Sequence, residues 1–130
     1  MQDVLARFVA KHGTNWELLP EKAMFQMNDT HPTIAVAELM RVLVDEHKVA
    51  WDTAKFTTIK CLAFTNHTVM PEALERWPFE VMTELLPRHA QIIERLDLEW
   101  CAAAHVCTPR GCCSIAVVLA HVPKSTPNKC

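Results

Sequence analysis

The chain has 130 residues and a mass of 14.8 kDa, half of its residues are apolar, and its formal net charge is -2. This length and composition suit one soluble globular domain and exclude an intrinsically disordered chain. The basic residues are scattered among acids, and no apolar run approaches the ~18 residues of a membrane span, so we expect neither nucleic acid nor a membrane as a partner. The first turns carry charges, so we also expect no signal peptide.

The first hundred residues alternate helical patterns with short apolar runs. Apolar residues at helical spacing predict a helix over residues 3–9, which Gly13 ends, and residues 13–22 are predicted to form a loop. The runs "AMFQM" and "CLAFT" predict two buried strands, with helices "IAVAELMRVLVDEH" and "WDTAKFTTIKCL" between them. Two further helices, "FEVMTELL" and "RHAQIIERLDLEW", are separated by Pro87. This order predicts an α/β fold with two short parallel strands.

The last thirty residues differ in kind from the rest, because they hold five of the six cysteines. The spacing of Cys107, Cys112 and Cys113 matches no paired CxxC site, so we expect no metal there. We divide the chain into residues 1–96, which carry the fold, and residues 97–130, a divergent Cys-rich tail. The tail is interpreted as out-of-frame or unspliced sequence, with a genuine divergent terminus as the alternative.

Both predicted strands end in the same kind of polar segment, "NDTHP" after the first and "TNHTVMP" after the second. Ligands of parallel sheets bind in the crevice beyond the carboxyl ends of the strands. Asn, Asp, His and Thr side chains supply the donors and acceptors that a hydroxyl-rich ligand requires. We therefore predict one polar crevice, lined by Asn28, Asp29, His31, Asn66, His67 and Thr68.

Structural interpretations of the same residues stay open at this point. Asp29 or Thr30 is a suitable cap for the helix that Pro32 begins, and a lone His67 after a buried strand suits a purely structural role. Neither segment places a second carboxylate or a cysteine at metal-ligand spacing, so we expect no metal site. The chain has only two glycines, Gly13 and Gly111, and therefore no glycine-rich phosphate loop.

The runs "QMNDTHPTIAVAELMRVLVDE", "WDTA", "TNHTVMPEALERWP" and "LLPRHAQII" resemble the glycogen and starch (α-1,4-glucan) phosphorylase family over about residues 2–96. The resemblance implies part of the N-terminal Rossmann-like lobe of a GT-B glycosyltransferase. It implies retaining phosphorolysis, in which orthophosphate removes the terminal glucose of an α-1,4-glucan as glucose 1-phosphate. It also implies pyridoxal 5'-phosphate as the cofactor, a homodimeric full-length enzyme, and a cytoplasmic location, or a plastid for a plant or algal parent.

The resemblance also assigns roles to residues of this chain. His67 matches a histidine whose side chain contacts the glucose 6-hydroxyl and whose backbone carbonyl lies near the developing cation. Asn66 and Thr68 flank it, while Asp29 and His31 match residues that line the opposite wall of the pocket, on the far side of the scissile bond. A mobile gating loop would include Pro71, Glu72 and Glu75. The family's cofactor lysine and phosphate-binding residues belong to a C-terminal lobe, so we expect no catalytic or cofactor-binding residue here and no activity from the chain alone.

Two other functions remain as alternatives. One is a short, non-catalytic glucan-binding or regulatory module derived from a phosphorylase. The other is a redox or metal-binding protein that uses the tail cysteines.

We also expect poor solubility, because the apolar helix over residues 34–44 would lack neighbours to cover it. Two residues depart from the family pattern. The family usually has an aromatic residue where this chain has Lys55, and it usually has Tyr where this chain has Phe64.

Overall fold

The computed structural model describes residues 1–68, residue 70 and residues 77–104. In chain order the helices and strands are α1 (Gln2–His12), α2 (Leu19–Lys22), β1 (Phe25–Asn28), α3 (Ala35–Arg41), α4 (Trp51–Cys61), β2 (Leu62–Thr65), α5 (Phe79–Leu85) and α6 (Pro87–Ala104). Short 3-10 turns cover Trp16–Leu18 and His31–Ile34, and one π turn covers Val42–Glu46. The predicted helix-rich α/β chain with two strands is confirmed, and the GT-B lobe stays a prediction.

The two strands form a parallel pair, as predicted. Phe25 pairs with Leu62, and the register runs to Asn28 opposite Thr65. Parallel strands need a long crossover connection, and here α3, the π turn and α4 provide it. Both carboxyl ends therefore lie at the same edge of the sheet, which brings the two polar segments together.

Helix α1 ends where the sequence predicts. Gly13 has φ 62, a left-handed conformation that favours glycine, and its N–H donates to the carbonyl of Val9 at 2.9 Å. The loop predicted for residues 13–22 is wrong, because the segment winds into a 3-10 turn and α2. Trp16 explains the difference, since its buried ring packs between Phe8 and His47, with centroid distances of 5.6 and 4.5 Å.

The core centres on α3 and the π turn, where Leu39, Met40 and Leu43 are fully buried. Helices α4 and α6 pack against α3. The expectation that this stretch would expose its apolar side chains is therefore wrong, because the chain supplies its own covering helices. Among the described residues, the large apolar side chains that are exposed lie elsewhere: Met24, Phe56, Ile59, Met70, Trp77, Phe79, Val81, Leu85 and Leu98.

Polar contacts fix the start of α6 on the crossover connection. Arg88 donates to both carboxylate oxygens of Asp45, each at 2.7 Å, and a ring nitrogen of His89 lies 2.8 Å from Glu38. Helix α6 then runs without a break to Ala104, through the boundary drawn at residue 96. The division of the chain at that residue stays a prediction. Within the described ranges, none of the helices combines the length and apolar character that a membrane crossing requires.

Candidate functional site

The two polar segments meet directly at the carboxyl edge of the sheet. Asp29 follows β1, and its backbone N–H donates to the carbonyl of Thr65 at 2.9 Å, which extends the pairing by one residue. The carboxylate of Asp29 accepts a hydrogen bond from the backbone N–H of His67 at 2.8 Å. Asp29 has φ 63, a left-handed conformation that is uncommon outside glycine. The backbone therefore turns sharply after β1 and aims the carboxylate at the other strand end.

Side chains reinforce this meeting. Nε2 of His67 lies 3.3 Å from Oδ1 of Asn28, so the imidazole rests against the first segment. Two residues before Asn28 in β1, the amide of Gln26 donates to the hydroxyl of Thr65 at 3.0 Å. Asn28 and His67 are exposed and Asp29 is half-buried, so solvent and ligands reach the cluster. We call Asn28, Asp29 and His67 the strand-end cluster.

The second segment holds its own backbone. The side-chain oxygen of Asn66 accepts from the N–H of Thr68, and the hydroxyl of Thr68 accepts from the N–H of Met70, both at 3.1 Å. Such local side-chain bonds are typical of turns. Asn66 and Thr68 thus shape the loop that presents His67.

His31 lies apart from these contacts. It is exposed at the start of the 3-10 turn His31–Ile34, and within the described part of the chain it forms no hydrogen bond with the strand-end cluster. The capping interpretation of the first segment is wrong. Thr30 occupies the N-cap position without a side-chain cap, and the Asp29 carboxylate bonds to His67 instead.

Sequence reasoning missed Gln26, although a polar residue inside the apolar run "AMFQM" was the available signal. It also missed Glu38, whose carboxylate accepts from Arg41, Gln2 and His89. The Arg41 guanidinium lowers the pKa of Glu38 to about 2, and smaller contributions come from Gln2 and His89. Glu38 belongs to the interface of α3 with α1 and α6, so its low pKa indicates a structural ion-pair network.

Among the described residues, no three His, Cys, Asp or Glu side chains come together in a group that could hold a metal. Both polar segments lack lysine, and the side chains with which they could hold a ligand are those of Asn, Asp, His and Thr. This donor set does not fit pyridoxal 5'-phosphate, which needs a lysine amine for its aldehyde. Pro71, Glu72 and Glu75, assigned to a gating loop, lie outside the described residues.

A family model described as carbohydrate phosphorylase matches residues 1–119 of this sequence. The chain belongs to the carbohydrate phosphorylase family. The match continues beyond residue 96, where the motif resemblance ended.

Curated relatives of the family are about half identical to the chain. Alpha-glucan phosphorylase 1 of Arabidopsis thaliana is 52% identical over 101 residues, which cover 76% of this chain and 10% of the relative. The Vicia faba "Alpha-1,4 glucan phosphorylase L isozyme, chloroplastic/amyloplastic" is also 52% identical over 101 residues, with the same coverage. The muscle form of glycogen phosphorylase from Mus musculus is 50% identical over 104 residues, which cover 75% of this chain and 12% of the relative. The chain thus spans about a tenth of the length of these phosphorylases.

Proposed function

We propose that the chain is a segment of the N-terminal lobe of a GT-B α-1,4-glucan phosphorylase and that its strand-end cluster forms part of the lining of the glucose site, where two walls of the pocket meet. Family membership supports the enzyme class. The observation that carries the site is the direct bonding of Asp29 and Asn28 to His67, because it joins two segments that the family resemblance assigns to opposite walls of one pocket.

The reaction is retaining phosphorolysis. The bond between the terminal glucose and the next sugar breaks, a bond to an orthophosphate oxygen forms, and the released 4-hydroxyl takes a proton. In this reaction the chain binds and orients the sugar. The imidazole of His67 hydrogen-bonds the 6-hydroxyl, and the His67 carbonyl directs its negative end toward the oxocarbenium-like carbon. A fixed dipole of this kind stabilises charge that develops in the transition state.

The remaining chemistry belongs to the parent enzyme. Pyridoxal 5'-phosphate supplies an acid–base phosphate group when it is bound, and its lysine lies in the C-terminal lobe. We propose α-1,4-glucan and orthophosphate as substrates, a homodimeric full-length enzyme, and a cytoplasmic or, for a plant or algal parent, plastid location. His31 and the gating residues Pro71, Glu72 and Glu75 complete the proposed site. The chain alone is inactive because the polar residues at its strand ends do not fit the cofactor.

A chimeric enzyme tests this proposal. Residues 1–96 replace the matching segment of Alpha-glucan phosphorylase 1 from Arabidopsis thaliana, and release of glucose 1-phosphate from starch and orthophosphate is measured. We expect an active chimera and no product from the chain alone. His67→Ala in the chimera removes one hydrogen bond to the sugar, so kcat/KM should fall about tenfold. An inactive chimera that still folds and binds its cofactor would reject the proposed function.

A non-catalytic glucan-binding module is the second candidate. It is favoured by the fact that the residues of the strand-end cluster bond to one another without any partner from outside this chain. Calorimetric titration of the 130-residue chain with maltoheptaose separates the two candidates. Saturable binding that His67→Ala abolishes, combined with an inactive chimera, would favour the module.

A further inference from the structure

We propose that Asp29 is a positioning residue, which holds the backbone of His67 in place through its carboxylate. The family resemblance assigns Asp29 only to the lining of the pocket. The geometry adds a different task, because one carboxylate oxygen is already engaged by the N–H of His67 at 2.8 Å. The effect of this bond on catalysis rests on the proposed function, whereas the bond itself does not.

Two independent features of Asp29 make the contact. Its backbone N–H bonds to the carbonyl of Thr65 at 2.9 Å, so the residue is fixed to the end of β2. Its φ of 63 then turns the side chain toward the loop beyond that strand. Asp and Asn adopt this left-handed conformation more readily than other residues with a β-carbon. The position therefore requires both a tolerated positive φ and a side-chain acceptor.

The consequence for the site follows from the peptide group that is bonded. Fixing the N–H of His67 fixes the plane of the peptide between Asn66 and His67. The remaining freedom of His67 is then small, because its ring also rests against Asn28 at 3.3 Å. Asp29 thus fixes the backbone on the amide side of His67, and Asn28 holds the imidazole. The carbonyl of His67 belongs to the next peptide group, whose N–H on Thr68 bonds to the side chain of Asn66.

Three substitutions separate the two requirements. Asp29→Asn keeps the acceptor and tolerates the positive φ. Asp29→Gly tolerates the positive φ but removes the acceptor, and Asp29→Ala loses both. Exchange of the His67 backbone amide is measured by NMR on the full chain without sugar, or by mass spectrometry at micromolar protein concentration. The amide at position 29, which bonds to Thr65, is the internal control for an intact strand end.

We expect Asp29→Asn to leave the exchange of the His67 amide within about threefold of the wild type. Asp29→Gly should accelerate it by at least about tenfold, as loss of a charge-assisted hydrogen bond implies, while the amide at position 29 stays protected. Asp29→Ala should also lose the protection of position 29, because alanine resists the positive φ. Unchanged exchange in Asp29→Gly, or equal acceleration in Asp29→Asn, would overturn the proposal.

In the chimeric enzyme the same variants give a functional readout. The kcat/KM of Asp29→Gly should be about tenfold or more below that of Asp29→Asn, mainly through kcat. Because amide exchange is measured without sugar, it tests the bond even if the chimera proves inactive. An inactive chimera with normal exchange behaviour rejects the glucose site and leaves the role of Asp29 intact.

Discussion

Replacement of Glu38 by Gln tests how helix α6 is held on α3. The carboxylate of Glu38 accepts hydrogen bonds from Gln2 at 3.0 Å, from Arg41 at 2.7 and 3.0 Å, and from a ring nitrogen of His89 at 2.8 Å. These contacts lower its pKa from the ordinary 4.5 to about 2. The difference corresponds to at most about 3 kcal/mol of stability. Because the side chain is 22% exposed, solvent screening reduces the expected loss in Glu38→Gln to about 1–2 kcal/mol at pH 7.

The pH dependence has a definite sign. The folded state lowers the pKa of Glu38, so its contribution is fully present above pH 4.5 and is lost as the pH falls toward 2. The wild type should therefore be more stable than Glu38→Gln at pH 7. This gap, the difference between their free energies of unfolding, should shrink as the pH falls from 4.5 to 2. Urea denaturation followed by circular dichroism at several pH values measures this gap.

A matched control is Asp3→Asn, which removes the charge from an exposed pair with Arg7. Because exposed pairs contribute little, this change should cost less than about 0.5 kcal/mol. A cost for Glu38→Gln as small as that of the control would refute the reasoning. A gap that stays constant in acid would refute it equally.

Two further predictions concern the core. Leu43 is fully buried in the π turn, so Leu43→Ala should lower the free energy of unfolding by about 2–5 kcal/mol, as measured by urea denaturation. Leu98 is exposed, so Leu98→Ala should lower it by less than about 0.5 kcal/mol. Equal costs would contradict the assigned core. Burial raises the pKa of the Cys61 thiol to about 11, so iodoacetamide at pH 8 should leave Cys61 unmodified in the native chain and label it in urea, as peptide mass mapping would detect. Rapid labelling of Cys61 under native conditions would show that the packing around α4 is wrong.

Local patterns predicted much of the fold. Apolar spacing located α1 and the helices of the crossover connection, and short β-rich runs located both strands. The shared strand, helix, helix order predicted their parallel pairing, and this pairing brought Asp29 and His67 together as expected.

What the sequence did not reveal depends on contacts between distant positions. Glu38 and His89 are 51 positions apart, so no local pattern shows that they meet. The segment from Trp16 onward forms a 3-10 turn and α2 because the Trp16 ring packs against Phe8 and His47. The positive φ of Asp29 was also hidden, since Asp suits a helix cap as well as a left-handed turn. The family resemblance likewise gave roles to side chains without giving the bonds between them.

The most direct test of the glucose site uses the chimeric enzyme in the direction of glucan synthesis. Its kcat/KM for glucose 1-phosphate is compared with that for 6-deoxyglucose 1-phosphate, in the wild-type chimera and in His67→Ala. If the imidazole bonds the 6-hydroxyl, the wild-type chimera should prefer glucose 1-phosphate by about tenfold, and His67→Ala should reduce this preference to nearly one. An undiminished preference in His67→Ala would show that His67 does not contact the sugar and would contradict the proposed site.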